Sequence, residues 1–259
     1  MPEKMSPVLF IGHGSPMNII CKNDYTESLR KLGQSLPRPD AVLVISAHWL
    51  TKGTFICSAE KPEQIYDFYG FPDQLYGVQY HPPGARTLAE FMAQELRPEN
   101  IRTDNAWGID HASWAVLVHM YPKADIPVFE MSIDRMKTEQ EHYALGKKLS
   151  YLRKQNILIM GSGNIVHNLR QIDFEEDAEP FPWAIEFDEF IKDAIVRNES
   201  DRLLRYKELS PASRLAVPTN DHYVPLLYSM ALREENERVE FIHEGIQNGS
   251  ISMRCFVIH

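Results

Sequence analysis

The sequence is short of three things, and each shortage removes a class of function. It has three cysteines in 259 residues, Cys21, Cys57 and Cys255. Standing singly, they cannot build a disulfide framework or a cysteine-rich zinc site, and a reduced cytoplasmic compartment is the expectation that follows. Positive charge is in deficit: 27 Lys and Arg face 36 Asp and Glu, for a net charge of −9. Nucleic acid and anionic membrane surfaces both demand basic patches, so neither is expected as a partner. Long apolar runs are also missing. No stretch approaches the roughly 20 residues of a membrane-spanning helix, and residues 1–7 (MPEKMSP) lack the apolar centre of a signal peptide. There is no internal repeat and no low-complexity tract.

What is present is ordinary for a soluble globular chain, with 44% hydrophobic and 24% charged residues. A chain of this size buries about three quarters of its unfolded surface, so it needs neither metal nor disulfide merely to fold. One catalytic domain over residues 1–259 is expected in preference to two small ones. Short Val/Ile/Leu runs at 7–11, 41–46, 127–133 and 156–160 read as strands buried on both faces of a parallel sheet, with 54–58 as a short strand. Residues 25–36, 86–96, 113–120, 138–154, 183–197, 203–209 and 223–233 read as helices. Residues 239–243 and 252–258 read as strands that pair antiparallel. The predicted fold is therefore α/β: a single domain with a mostly parallel central sheet flanked by helices, and antiparallel edge strands. Residues 66–84, rich in aromatics and proline and without sustained periodicity, read as a lid or binding loop. The acidic stretch 173–179 reads as a solvated loop.

In open α/β sheets the ligand crevice lies outside the carboxyl ends of the strands. His13 and His48 each stand just past an apolar run, His13 between Gly12 and Gly14, His48 behind the small pair Ser46-Ala47. That position makes both candidates for metal ligation or proton transfer. His167 follows the strand at 156–160, beyond Gly161-Ser162-Gly163-Asn164, a loop that suits a helix N-terminus. His222 falls in the first turn of a helix with Asn220 or Asp221 as cap, and His111 precedes another helix. Capping or packing alone would also account for these last positions. His119 and His142 read as structural, His81 as part of the lid, and nothing singles out His243 or His259. The glycines do not spell a nucleotide site: Gly12-His13-Gly14-Ser15 lacks both the phosphate-loop and the dinucleotide spacing. Ser162 is not a nucleophile elbow either, because Met160 replaces its first glycine. A multi-histidine metal site is the stronger reading.

Six segments together resemble a known family: residues 9–18 (LFIGHGSPMN), 45–49 (ISAHW), 67–72 (DFYGFP), 107–114 (WGIDHASW), 161–170 (GSGNIVHNLR) and 222–227 (HYVPLL). In this order, over nearly the whole chain, they resemble the DOPA-type extradiol aromatic ring-opening dioxygenases of the class III, LigB-like superfamily. The resemblance implies an α/β fold with one divalent metal, Fe(II) for catalysis or Zn in its place. By position it implies His13, His48 and His222 as metal ligands, His167 as acid/base and His111 near the substrate. It also implies that residues 66–80 form the pocket loop, with a small aromatic diol such as L-DOPA and O2 as partners and a muconic semialdehyde as product. The wider superfamily usually holds iron with two histidines and one carboxylate. Here His222 stands third, and Asp221 or Glu244 would have to replace it to restore that triad. Three neutral imidazoles leave the site one charge more positive and also suit zinc. Two other expectations stand beside ring cleavage: a zinc hydrolase on the same histidines, whose metal would activate water, and a non-catalytic scaffold of the superfamily. Neither the physiological catechol, the cleavage position nor the oligomeric state follows from the sequence.

Overall fold

Continuous apolar runs go to the centre of the sheet because only there are both faces covered. In the computed structural model, which describes residues 5–259, the elements run β1 (Val8–Gly12), α1 (Asp24–Ser35), β2 (Ala41–Thr51), β3 (Phe55–Cys57), α2 (Asp73–Tyr76), α3 (Arg86–Glu95), β4 (Arg102–Asp104) and α4 (His111–Met120). They continue as β5 (Val128–Asp134), α5 (Glu139–Lys147), α6 (Ser150–Arg153), β6 (Ile157–Gly163), α7 (Pro182–Arg197), α8 (Ser200–Leu204), α9 (Tyr206–Leu209), α10 (Ser213–Ala216) and α11 (Val224–Ala231). The last strands are β7 (Val239–His243), β8 (Ile246–Gln247), β9 (Ile251–Ser252) and β10 (Cys255–Ile258). Among the described residues the main sheet has eight strands in the order β4-β3-β5-β2-β6-β1-β10-β7, and β8 pairs with β9. The middle four, β5, β2, β6 and β1, are parallel, and β10 and β7 add antiparallel strands at one side. The predicted α/β class and its antiparallel edge are borne out.

Successive strand residues point to opposite faces, and here they sort into two separate cores. Val8, Phe10, Leu43, Ile45, Ile157 and Ile159 join one cluster with Leu226, Leu227 and Tyr228 of α11. Leu9, Ile11, Val42, Val44, Leu158 and Met160 join the other with Leu29 of α1 and Trp114 of α4. Each such side chain contributes about 1.5–3 kcal/mol by leaving water. A one-residue slip would exchange the two cores, so the register is firmly specified. No helix is long and apolar enough to cross a membrane among the described residues.

Several boundaries differ from the sequence reading, each for a local reason. The helix expected at 138–154 is two, because Lys148 and Leu149 bond back only three residues, to Leu145 and Gly146, and tighten the chain out of α geometry. The strand expected at 252–258 is likewise divided between β9 and β10. β2 runs on to Thr51, so His48 lies inside the strand and not beyond it, where its pairing with β5 breaks register between Ile45 and Leu50. Such irregularities re-aim side chains. His222 precedes its helix: Pro225 fits the first turn of α11, and the preceding turn closes on Asn220 O from the Tyr223 and Val224 amides.

Candidate metal centre

The carboxyl ends of β1, β2 and β6 come together at one point, and the five singled-out histidines gather there. Gly14 takes a left-handed backbone, φ +63°, that turns the chain sharply after His13. Gly163 admits the His222 turn: a Cβ there would sit 2.1 Å from His222 O, a backbone atom, and the Asn164 amide then donates to that same oxygen at 2.9 Å. Asp110 caps α4 by accepting from the Ala112 amide at 3.0 Å, which places His111 on the first turn. His13, His111 and His222 are buried, and His48 is half-buried.

In His13, His48 and His222 Nδ1 of each ring is occupied and Nε2 is left toward the cluster. His13 Nδ1 meets Ser162 Oγ at 3.1 Å, and that hydroxyl gives its only proton to Ala112 O at 2.6 Å. It must therefore accept from His13, which leaves the lone pair on His13 Nε2. His48 Nδ1 lies 2.9 Å from Asp67 Oδ2, and His222 Nδ1 lies 2.6 Å from Asp221 Oδ2, so both rings donate there and keep Nε2 unprotonated. His48 Nε2 and His13 Nε2 approach to 3.2 Å. His222 Nε2 is buried with no hydrogen-bond partner. A buried polar atom left unpaired costs on the order of 1–3 kcal/mol. Two lone pairs facing each other and a third with no donor in reach are what a cation resolves. His13, His48 and His222 offer ligand atoms within 4.8 Å of one another, a cluster compatible with one metal ion. The donor set and its backing fit such an ion, since metal-binding histidines characteristically donate their other N–H to a carboxylate or hydroxyl.

His111 and His167 complete the ring. His111 Nδ1 lies 2.9 Å from Asp67 Oδ1, and its own amide donates to the same oxygen at 3.0 Å. Asp67 thus holds His48 with one oxygen and His111 with the other; these three residues also cluster, but their facing atoms are already spent on each other. His167 lies flat on His222, centroids 3.5 Å apart and planes 5° apart, with its amide donating to Ala216 O at 2.9 Å.

Burial is the main cause of the depressed imidazole pKa values. It lowers His13 and His167 well below the ordinary value, lowers His222, and brings His111 to about 4, with neighbouring imidazoles adding to the effect. His48 is the exception: burial lowers it, but the hydrogen bond to Asp67 and the charges of Asp110, Asp67 and Asp221 outweigh burial and raise it. Burial also opposes ionisation of Asp67 and Asp221, yet hydrogen bonds from their histidines hold both below the usual carboxylate range.

The structure brings together the histidines that the sequence reading singled out, and that reading missed what holds them. Asp67 went without a role although its motif was recognised, because its partner His111 lies 44 residues away. Asp221 is close to His222 but neither caps α11 nor replaces the histidine; it props the ring from behind. Glu244 is excluded as a substitute ligand, since it pairs with Lys192 at 2.7 Å and with Arg254. Deeper still, Ser46 Oγ donates to Asp110 Oδ2 at 2.6 Å, while Glu130 accepts from the Asp110 amide and from Trp107 Nε1, each at 2.8 Å. Burial pushes the Glu130 carboxyl up to about 7. Of the other histidines, His119 bonds to Asn18 O and His142 to Tyr228 Oη, both structural as expected, and His81 is exposed beside Gln79. Over the cluster stand aromatics of the 66–84 segment: Phe68 meets His111 edge-on at 5.5 Å, and Tyr66 packs on Trp114 at 5.3 Å.

Comparison with known proteins points the same way. Residues 6–255 match the family model described as the catalytic LigB subunit of aromatic ring-opening dioxygenase. A protein named 4,5-DOPA dioxygenase extradiol from Escherichia coli (strain K12) is 44% identical over 98% of this chain and 94% of its own length. One of the same name from Beta vulgaris is 34% identical over 96% and 95%. The crystal structure of an uncharacterized protein from Escherichia coli K12 superposes with a TM-score of 0.86 at 40% identity, covering 98% of this chain and all of that one.

Proposed function

The chain belongs to the family of the catalytic LigB subunit of aromatic ring-opening dioxygenases, and within it we propose extradiol cleavage of a small catechol such as L-DOPA by O2, at one Zn or Fe(II) ion held by His13, His48 and His222. The product would be a muconic semialdehyde, the catalytic unit the whole of residues 1–259, and the compartment the cytoplasm, where Cys21, Cys57 and Cys255 stay unpaired. One observation carries the reading: the three rings each set Nδ1 against a hydroxyl or carboxylate, and they offer ligand atoms within 4.8 Å of one another. When bound, the metal supplies Lewis acidity toward the diol oxygens and a meeting place for diol and O2.

The rest of the chemistry falls to the chain. His111 Nε2 carries a lone pair because Nδ1–H is given to Asp67, and it takes a phenolic proton with a carboxylate already in place to balance the charge. His167, neutral and laid against His222, handles the second proton at its ring nitrogen and returns one as the ring opens. Phe68 and Tyr66 present apolar surface to the aromatic ring and keep water from it. The test is anaerobic loading with Fe(II) or Zn(II), followed by oxygen uptake and yellow semialdehyde formation on L-DOPA and catechol. Uptake with the iron form is expected. Absence of uptake with every catechol overturns the reading, and oxygen-independent hydrolysis by the zinc form would replace it.

A further inference from the structure

A cavity of about 420 Å³ has no part in the scheme above. Its walls continue the segments that carry the site. Ser15 and Met17 follow His13, Tyr69 and Phe71 follow Asp67, and Ile172 and Phe174 follow His167. One residue separates His13 from Ser15 and Asp67 from Tyr69, so each pair of Cα atoms is at most about 7 Å apart. The cavity therefore borders the point where an aromatic diol would sit. Tyr69 and Phe174, which border it, are each 92% exposed and offer it apolar surface.

One charge lies in this lining. Among the described residues, Glu176 is the one Asp, Glu, Lys, Arg or His bordering the cavity, and its side-chain partners are the neutral Asn23 and Gln247. Neutral amides hold it in place: Asn23 Nδ2 donates to Glu176 Oε1 at 2.9 Å and Gln247 Nε2 donates to the same oxygen at 3.0 Å. Asn18 closes the ring, donating to Gln247 Oε1 and accepting from Asn23 Nδ2, both at 3.1 Å. A carboxylate fixed by uncharged donors carries no compensating cation, so its charge, screened only by solvent, remains for whatever enters.

From this we infer that the cavity is a subsite for the substituent on the catechol ring and that Glu176 selects a protonated amine there over a carboxylate. The inference rests on the ring-cleavage reading and narrows its substrate class to catechols with a cationic tail. For an amino-acid side chain, the ammonium group is the end turned toward Glu176.

Three probes share the ring and differ in the tail: 4-(2-aminoethyl)catechol, 4-ethylcatechol and 3-(3,4-dihydroxyphenyl)propionate. Their dissociation constants are measured anaerobically on the iron-loaded protein by tryptophan quenching, at low and high salt, with thermal melting as the control for folding. An ion pair at an exposed carboxylate predicts that the amine binds up to about 5-fold more tightly than the carboxylate. That ratio should fall to about 1 in Glu176→Gln and invert in Glu176→Lys. A ratio unchanged by both substitutions, or a ratio of about 1 in the unaltered protein, overturns the subsite. Aerobic turnover of unsubstituted catechol, which has no tail, tests the ring-cleavage reading separately. If catechol is not cleaved, that reading fails while the binding ratios still decide the subsite.

Discussion

On the loop side of the cluster a single carboxylate, Asp67, grips His48 and His111, whereas on the strand side His13 leans on the hydroxyl of Ser162. Both arrangements orient a ring and fix its tautomer. Only a carboxylate also works against burial: it helps to raise His48 and opposes the fall of His111 and His222, which burial still wins, whereas His13, buried with a neutral partner, is depressed without that opposition. His142, far along the chain and backed by Tyr228 Oη, behaves like His13 and falls to about 4 under burial. Orientation is thus a property of any acceptor at Nδ1, and proton affinity a balance between burial and a charged one.

The largest effect should come from removing a ring altogether. His13→Ala, His48→Ala and His222→Ala should each abolish stoichiometric metal after reconstitution, read by elemental analysis; a full equivalent retained in any of them removes that residue from the ligand set. Next is the hydroxyl-backed His142. Its folded pKa lies below the ordinary 6.5, so the unfolded chain takes up the proton first as pH falls. Stability is complete above about 6.5 and should drop by about 3 kcal/mol as pH approaches 4. Urea titrations of the metal-free protein across that window should show the loss, and His142→Gln should flatten part of it; an unchanged slope would remove His142 as its source. The contrast between Asp67 and Ser162 follows. Asp67→Asn should weaken metal binding by about 10- to 100-fold, and Ser162→Ala, which deletes a neutral partner, by less than about 10-fold. Competition with a chromophoric chelator measures both, and equal losses would erase the distinction between carboxylate and hydroxyl.

The central strands were readable because burial on both faces leaves an uninterrupted apolar run, as in Val42-Leu43-Val44-Ile45. His13 and His48 were readable because they end such runs. The breaks in β2 and between α5 and α6 were not, since they depend on register with β5 and on hydrogen bonds one turn back. Asp67 was hidden for a different reason. It sits in an irregular aromatic segment, and only the folded chain brings it within 2.9 Å of two histidines distant in sequence. The ring of amides around Glu176 is equally invisible, being assembled from residues 18, 23, 176 and 247.

β1, which carries His13, is paired on one side by β6 and on the other by β10, with Val8 opposite Ile258. During synthesis β1 therefore waits for β10, far along the chain, before its open edge is closed. Until residues 255–258 leave the ribosome, a long hydrophobic edge stands available for wrong pairing. Pairing over so great a separation in sequence also slows folding. The nascent chain should consequently acquire its metal-binding geometry late and in one step, and ribosome-bound intermediates ending before β10 should depend on chaperones that shield strand edges.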